Sequence, residues 1–365
     1  VIRIAVDTSA VGPQSSGIGR YVSELVSRLR SFPGVEPVVG PAFNLWKGTD
    51  EIVTGRNLFR SALAITNGLL YEPVGLPKRV RCAGIDLYHA AAARVPVRRL
   101  SIPIVATVHD FAAFELPNWQ GKVHGWQLRC QVRRAVRAAA LIIVPSETIR
   151  DELAIRFPSA APRTLVIHHG VTGVFRNVRR TTSAAPTFVS VATLERRKNL
   201  TTLLEAFARV LSAHPAARLR LIGQEQNASD AISRRLDQLR IRHAVTTEGY
   251  VSDQYLAEAY AAATATIYPS LYEGFGLPIL ESMAAGAPVI ASDRGAMREV
   301  AGEAALLVDP LDPGPLAAAM LRLIEDPALW ARFQKTGRER AAAFTWEKCA
   351  STHLEAYRQL TQNLS

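Results

Sequence analysis

The stretch Tyr268-Pro269-Ser270-Leu271-Tyr272-Glu273-Gly274-Phe275-Gly276-Leu277-Pro278-Ile279-Leu280-Glu281 decides how the rest of the chain reads. It begins at the end of the run Thr264–Tyr268, whose β-branched residues predict a buried strand. Pro278 suits the first turn of a helix, so a helix is expected over Pro278–Ala285. Glu273 then falls in the loop before the helix, and Glu281 one turn into it. Gly274 and Gly276 have no side chains, so backbone N–H groups there can face a ligand at the helix N-terminus. Two carboxylates beside a nest of amides can hold ribose or sugar hydroxyls together with phosphate.

Working outward, the same strand–loop–helix unit recurs. In the first half strands are expected at Ile2–Val6, Asp86–His89, Ile104–Val108, Leu141–Pro145 and Thr164–Ile167. Helices are expected at Tyr21–Arg30, Val123–Ala139 and Glu147–Phe157, the last with Ser146 as N-cap. In the second half strands are expected at Thr187–Val191, Arg218–Ile222, Val245–Glu248, Thr264–Tyr268, Pro288–Ala291 and Ala305–Val308. Between them run helices at Leu200–His214, Asp230–Arg240, Asp253–Ala263, Pro278–Ala285 and Pro315–Ile324. This alternation means α/β architecture, parallel sheets with helices on both faces. The polar run Phe175–Pro186 is the best break between two doubly wound domains, one over residues 1–175 and one over 184–344. Two helical segments follow Asp326, and the second, about 346–362, is expected to pack back on the first domain. Ligands of such sheets sit beyond the carboxyl ends of the strands.

Three further segments stand at strand ends. Gly17 and Gly19, in Ser15-Ser16-Gly17-Ile18-Gly19-Arg20-Tyr21, let phosphate or sugar approach the backbone, or simply make a strand-to-helix turn; Val22 at the third glycine position weakens a dinucleotide fingerprint. His109 follows Ile104–Val108 and can hydrogen-bond a sugar hydroxyl or orient a reacting group, or be a satisfied core histidine. His89 is a similar, weaker case. Arg196, Arg197 and Lys198 follow Thr187–Val191, where adjacent cations before a helix N-terminus can clamp a diphosphate.

The 365 residues suggest about two domains at roughly 150 residues each, and 48% hydrophobic with 21% charged residues excludes disorder or a disulfide scaffold. No apolar run approaches the ~20 residues of a membrane span. The first residues, VIRIAVDTSA, read as a strand and polar loop rather than a signal peptide, and Cys82, Cys130 and Cys349 as reduced structural thiols, so a cytoplasmic protein is expected. Residues 1–180 hold 24 Lys and Arg against 12 Asp and Glu, a net +12, and the remainder nets −1. That asymmetry suggests an anionic partner for the first half: nucleic acid, a membrane surface or a phosphorylated substrate. There is no P-loop, G-x-S-x-G, C-x-x-C or H-E-x-x-H, and no D-x-D for a metal-held nucleotide. A site without metal is the expectation.

At this point the residues resemble a known family. YEGFGLPILESMAAGAPVIAS at 272–292 looks like the signature of retaining GT-B glycosyltransferases of family 4. GIGRY at 17–21, VHD at 108–110, VPSE at 144–147, VATLERRKNL at 191–200, LRLIG at 219–223 and GYVSDQYLAEAYAAATATIYPS at 249–270 follow in order. The resemblance spans nearly the whole chain, is poorest near 41–80, and is nearest to bacterial mannosyltransferases of O-antigen and exopolysaccharide assembly.

The resemblance implies two Rossmann-like domains facing a central cleft, the first binding acceptor and the second nucleotide-sugar donor. It implies Glu273 beside the donor sugar, Glu281 on the ribose hydroxyls, and Arg197 and Lys198 as diphosphate clamp. Gly274 belongs to the same loop. Phe275, Gly276 and Leu277 would offer backbone amides, and Tyr250 and Val251 would border the base. Gly19 would lie against the diphosphate, with Gly17 among the donor-binding residues, and His109 near the donor sugar. Many members carry Arg where this chain has Thr193, and Arg197 then supplies the missing charge. The activity implied is retaining, metal-independent transfer of a hexose, mannose from GDP-mannose ahead of UDP-sugars, onto a glycan or lipid-linked acceptor, with no other cofactor. The basic half would touch anionic lipid at the inner face of the plasma membrane, and nucleic acid is not an expected partner. A nucleotide-sugar epimerase and a non-catalytic anion- or nucleic-acid-binding protein are the alternatives.

Overall fold

The β-branched runs form two all-parallel sheets of six strands in the computed structural model, which describes residues 1–12, 17–40, 43, 75–96, 98–116, 121–181 and 183–362. The first sheet contains β1 (Ile2–Val6), β2 (Val35–Val38), β3 (Leu87–Ala90), β4 (Ile104–Thr107), β5 (Leu141–Val144) and β6 (Thr164–Val166), in the order β2-β1-β3-β4-β5-β6. The second contains β7 (Thr187–Val191), β8 (Arg218–Ile222), β9 (Val245–Glu248), β10 (Ala265–Tyr268), β11 (Val289–Ser292) and β12 (Leu306–Val308), in the order β12-β11-β10-β7-β8-β9. Central strands β3, β4, β10 and β11 are buried along their whole length, as parallel strands covered on both faces must be. In each sheet the strand order reverses once, at β1/β3 and at β7/β10. Loops diverge there, so each reversal opens a crevice at the carboxyl edge.

Two compact units result. One comprises residues 1–111, 126–168 and 346–365, the other 112–125 and 169–345. The chain changes unit after His168, ahead of the polar break expected at 175–186. Phe175 accounts for the difference: it lies in the short helix Gly173–Asn177, fully buried, with its ring 6.0 Å from that of Tyr260. Arg176 beside it donates to the carbonyls of Ala341 and Phe344. Strand β2 was not expected because Pro37 interrupts its pattern; among the described residues it is an edge strand paired only with β1, and such an edge tolerates that proline. The helix Gly295–Ala301 was also unforeseen, while Ser146 caps Glu147–Arg156 by accepting from the Ile149 amide at 3.3 Å. Ser15 and Ser16 lie outside the described residues. Among the described residues no helix is long and apolar enough to cross a membrane.

The last helix, Trp346–Gln362, is tied into the first unit by a buried chain of polar side chains. Tyr357 Oη lies 2.8 Å from His89 Nδ1, His89 Nε2 2.9 Å from Thr107 Oγ1, Thr107 Oγ1 3.0 Å from Tyr21 Oη, and Tyr21 Oη 2.8 Å from His353 Nε2. His353 Nδ1 ends the chain, 2.7 Å from the carbonyl of Cys349. All five side chains are fully buried. Burial pushes both imidazoles below the usual histidine range, His353 to about 4, so both are neutral. A carbonyl can only accept, and this fixes every proton in turn. His353 carries its proton on Nδ1, so its Nε2 accepts from Tyr21. Tyr21 oxygen accepts from Thr107, whose oxygen accepts from His89 Nε2–H, leaving His89 Nδ1 to accept from Tyr357. The chain runs one way, and begins and ends on the same helix.

Thr107→Val removes the acceptor of His89 Nε2–H. The His89 proton should move to Nδ1, facing Tyr357, while His353 stays Nδ1-protonated and stability falls by about 1–3 kcal/mol. Nitrogen-15 NMR of labelled histidines reads both tautomers; a His89 that keeps its Nε2 proton contradicts the one-way assignment.

Candidate functional site

The reversal at β7/β10 brings the loop after β7 against the loop after β10. After β7 the chain makes one tight turn, Arg196–Lys198, then passes through Asn199 in the left-handed region (φ 55°) into the helix Leu200–Ala213. Asparagine tolerates that conformation better than most residues. Its amide Nδ2 donates to the carbonyls of Pro269 and Pro310, and its Oδ1 accepts from Thr202 Oγ1 at 2.8 Å. One buried side chain therefore joins the loops after β7, β10 and β12. The Leu271 amide donates to the Arg197 carbonyl at 2.8 Å, fastening the two loops by backbone as well. Gly223, after β8, has φ 149°, and a Cβ there would lie 1.9 Å from the Ala192 carbonyl oxygen; only glycine admits the loop after β7 this close.

This framework delivers two cations to one carboxylate. Arg197 Nη1 donates to Glu273 Oε2 at 2.7 Å, and Lys198 Nζ donates to Glu273 Oε1. Lys198 Nζ also lies 3.3 Å from Tyr268 Oη. Lys198 and Glu273 are 7% and 8% exposed, so these charges meet largely out of water. Burial alone would raise the Glu273 carboxyl, but the charges and hydrogen bonds of Arg197 and Lys198 outweigh it and hold it at about 2. Burial and the adjacent Arg197 pull the Lys198 ammonium below its usual value, with Glu273 opposing. Burial, with the Glu273 charge, raises the Tyr268 hydroxyl well above the usual range, so it stays protonated.

The next residues turn into a helix, Leu277–Ala285. Gly276 enters it with φ 111°, a conformation that side chains rarely adopt. Gly274, Phe275, Gly276 and Leu277 are all buried. The Phe275 ring packs on His169 (5.0 Å between centroids) and Phe344 (6.0 Å), edge-on to both. Glu281 follows one turn into the helix and is 3% exposed. Ser282 Oγ donates to Thr266 Oγ1 at 2.7 Å, anchoring the helix to β10.

Arg197, Lys198 and Glu273 are thus in direct contact, with Gly274, Phe275, Gly276, Leu277 and Glu281 continuous with them. Tyr250 and Val251 follow β9, two strands from β7; Tyr250 is exposed and Val251 half-buried. The other three candidates belong to the first unit. Gly17 is exposed and Gly19 buried at the start of the helix Gly17–Leu29. His109 donates from Nε2 to the Ala91 carbonyl at 2.8 Å, and its ring meets Tyr21 edge-on at 5.1 Å. His89 belongs to the buried chain described above, which is the core role. Sequence reasoning missed Asn199 and Glu195. An asparagine just before a helix is a visible capping signal, whereas Glu195 is hidden in a run read only for its cations.

Two family models match the chain, "Glycosyltransferase Family 4" over residues 15–172 and "Glycosyl transferases group 1" over residues 174–340. The chain is 28% identical to O-antigen chain mannosyltransferase B of Escherichia coli over 387 aligned positions, covering 98% of this chain and 100% of that one. It is 31% identical to MMP alpha-(1->4)-mannosyltransferase of Mycolicibacterium hassiacum, over 76% of this chain and 68% of the relative. Among solved structures, sucrose-phosphate synthase from Thermosynechococcus elongatus superposes with a TM-score of 0.76 at 24% identity, covering 100% of both chains. Anabaena HepE in complex with UDP and glucose gives 0.74 at 18% identity, covering 98% of this chain and 100% of that one. These two likenesses speak for the fold.

The depressed Glu273 carboxyl has a definite pH signature. Its contribution to stability is fully present above its ordinary value of 4.5 and is lost as pH falls toward about 2. A shift of this size is worth on the order of 3 kcal/mol. Denaturant unfolding of the protein and of Glu273→Gln at pH 6 and pH 2.5 should show a smaller acid loss in the variant. Equal losses would mean that Glu273 is not held by the two cations.

Proposed function

Because the chain belongs to the family 4 glycosyltransferases and has their two-unit GT-B fold, we propose that it moves mannose from GDP-mannose to a sugar hydroxyl of a glycan or lipid-linked acceptor. The reaction retains anomeric configuration and uses no metal. The observation that carries this reading is the contact of Arg197, Lys198 and Glu273 at the β7/β10 reversal, beside the start of the helix Leu277–Ala285. A nucleoside diphosphate sugar fits such a place: cations and a helix N-terminus for the diphosphate, carboxylates for hydroxyls. The two mannosyltransferase relatives support the sugar.

In the transfer, the bond from the anomeric carbon to the diphosphate oxygen breaks and a bond to the acceptor oxygen forms on the same face. Negative charge grows on the departing diphosphate. Arg197 and Lys198 stabilise it where it develops, which removes the need for an ion. The departing phosphate oxygen takes the acceptor proton. Glu273, kept ionised by the cations, stands beside the sugar and favours positive charge at the anomeric carbon. Glu281 receives the ribose hydroxyls, and Tyr250 and Val251 border the base. In the first unit, His109, whose Nε2 donates to the Ala91 carbonyl, is the candidate for a sugar hydroxyl, and Gly17 and Gly19 are the candidates for close approach of a phosphate or sugar to the backbone.

The acceptor side has its own support. The helix Lys122–Ala138 belongs to a stretch with no acidic residue between Glu115 and Glu147. Trp126, Arg133 and Arg137 are exposed, and their spacing puts them on one helical face. An aromatic ring beside cations suits the headgroup layer of anionic lipid, where a lipid-linked acceptor resides.

Two measurements check this reading. Calorimetric titration with GDP, UDP and their sugars should show GDP-mannose binding. Glu281→Ala should weaken free nucleotide and donor alike, roughly 10–100-fold for a charged hydrogen bond, and Glu273→Gln should mainly lower turnover, which persists in excess EDTA. Unchanged nucleotide affinity in Glu281→Ala, or turnover that needs added Mg²⁺, would contradict the assigned roles. Co-sedimentation should show binding to anionic vesicles at 0.1 M salt, lost at 1 M and weakened by Arg133→Glu with Arg137→Glu; equal binding to neutral vesicles, or none, would leave the helix without that role.

A further inference from the structure

Arg197 is held by two carboxylates. Besides its bond to Glu273, its Nε donates to Glu195 Oε2 at 2.9 Å. Glu195 is 6% exposed, and its other oxygen accepts from Thr193 Oγ1 at 3.0 Å. Its backbone is fixed as well, because its amide donates to the Thr193 carbonyl at 2.7 Å and its carbonyl accepts from the Lys198 amide at 3.0 Å. Both carboxylate oxygens are therefore committed within the turn. A negative charge here opposes the binding of any diphosphate to Arg197. What it supplies in return is direction: with Nε on Glu195, the planar guanidinium cannot rotate, and Nη1 is carried to Glu273 and the Tyr272 carbonyl.

We propose that Glu195 is a positioning residue for the transfer, orienting Arg197 for the developing diphosphate charge while weakening the hold on free nucleotide. This rests on Arg197 and Lys198 being the diphosphate clamp. The two effects pull in opposite directions, which a merely structural residue does not do. A residue that only supports the fold would, when changed, weaken binding and turnover together. Thr193 belongs to the same device, because its hydroxyl sets the plane of the Glu195 carboxylate.

The test compares Glu195→Gln, Glu195→Asp, Thr193→Val and Arg197→Ala, using whichever of GDP and UDP the native protein binds as probe. Glu195→Gln should bind that nucleotide several-fold tighter, while kcat falls about 10–100-fold, the value of one charge-assisted hydrogen bond. Glu195→Asp restores the charge and should return nucleotide affinity to the native level and part of kcat. Thr193→Val should shift both quantities in the same directions as Glu195→Gln, by less. Weaker nucleotide binding in Glu195→Gln, or native kcat, overturns the proposal while Arg197→Ala still loses nucleotide. Native affinity and turnover in Arg197→Ala would instead remove the clamp reading itself, and the proposal with it.

Discussion

Four charges, two carboxylates and two cations, meet largely out of water at the reversal of the second sheet and set the terms for everything around them. Charges taken out of water are tolerated only if each finds its partner, and removing one strands the others at about 3–5 kcal/mol. Glu273 comes from the loop after β10, Arg197 and Lys198 from the loop after β7, and these strands are neighbours only because the order reverses between them. The ion cluster therefore fixes where two loops end relative to each other. The same contacts that cost desolvation thus hold both cations and the carboxylate in one place at the carboxyl edge.

Backbone exceptions make that meeting possible. Asn199 at φ 55°, Gly223 at φ 149° and Gly276 at φ 111° surround it, each where the chain must leave a strand or enter a helix within a few residues. Asn199 does more than bend, since its amide joins the ends of three strand loops.

The first unit uses neutral groups for the comparable task. Its last helix is fastened by hydroxyls and imidazoles rather than by ions, and the Cys349 carbonyl sets the direction of every bond between Tyr357 and His353. Tyr21 belongs both to this chain and to the edge of His109. The ring of a candidate sugar-binding residue is thereby steadied from the far end of the chain.

Much of this was legible in the residues themselves. Alternating periodicity placed eleven strands, because buried parallel strands need β-branched runs whatever their partners. The glycines and Pro278 marked the helix entry, and Glu273, Arg197 and Lys198 could be named because charged residues at strand ends are conspicuous. Tertiary structure alone decided the rest. Val35–Val38 becomes a strand only because β1 offers it an edge. Phe175, inside a polar run, belongs to the second unit because Tyr260 gives it a pocket. His89 and His109 carry the same signal, a histidine at a strand end, yet one is locked between Tyr357 and Thr107 while the other bonds the Ala91 carbonyl and meets the edge of Tyr21. Glu195 reads as one more surface charge until the turn folds it under Arg197. In each case the deciding term is a partner distant in sequence or facing across a turn, and local pattern carries no information about which partner that will be.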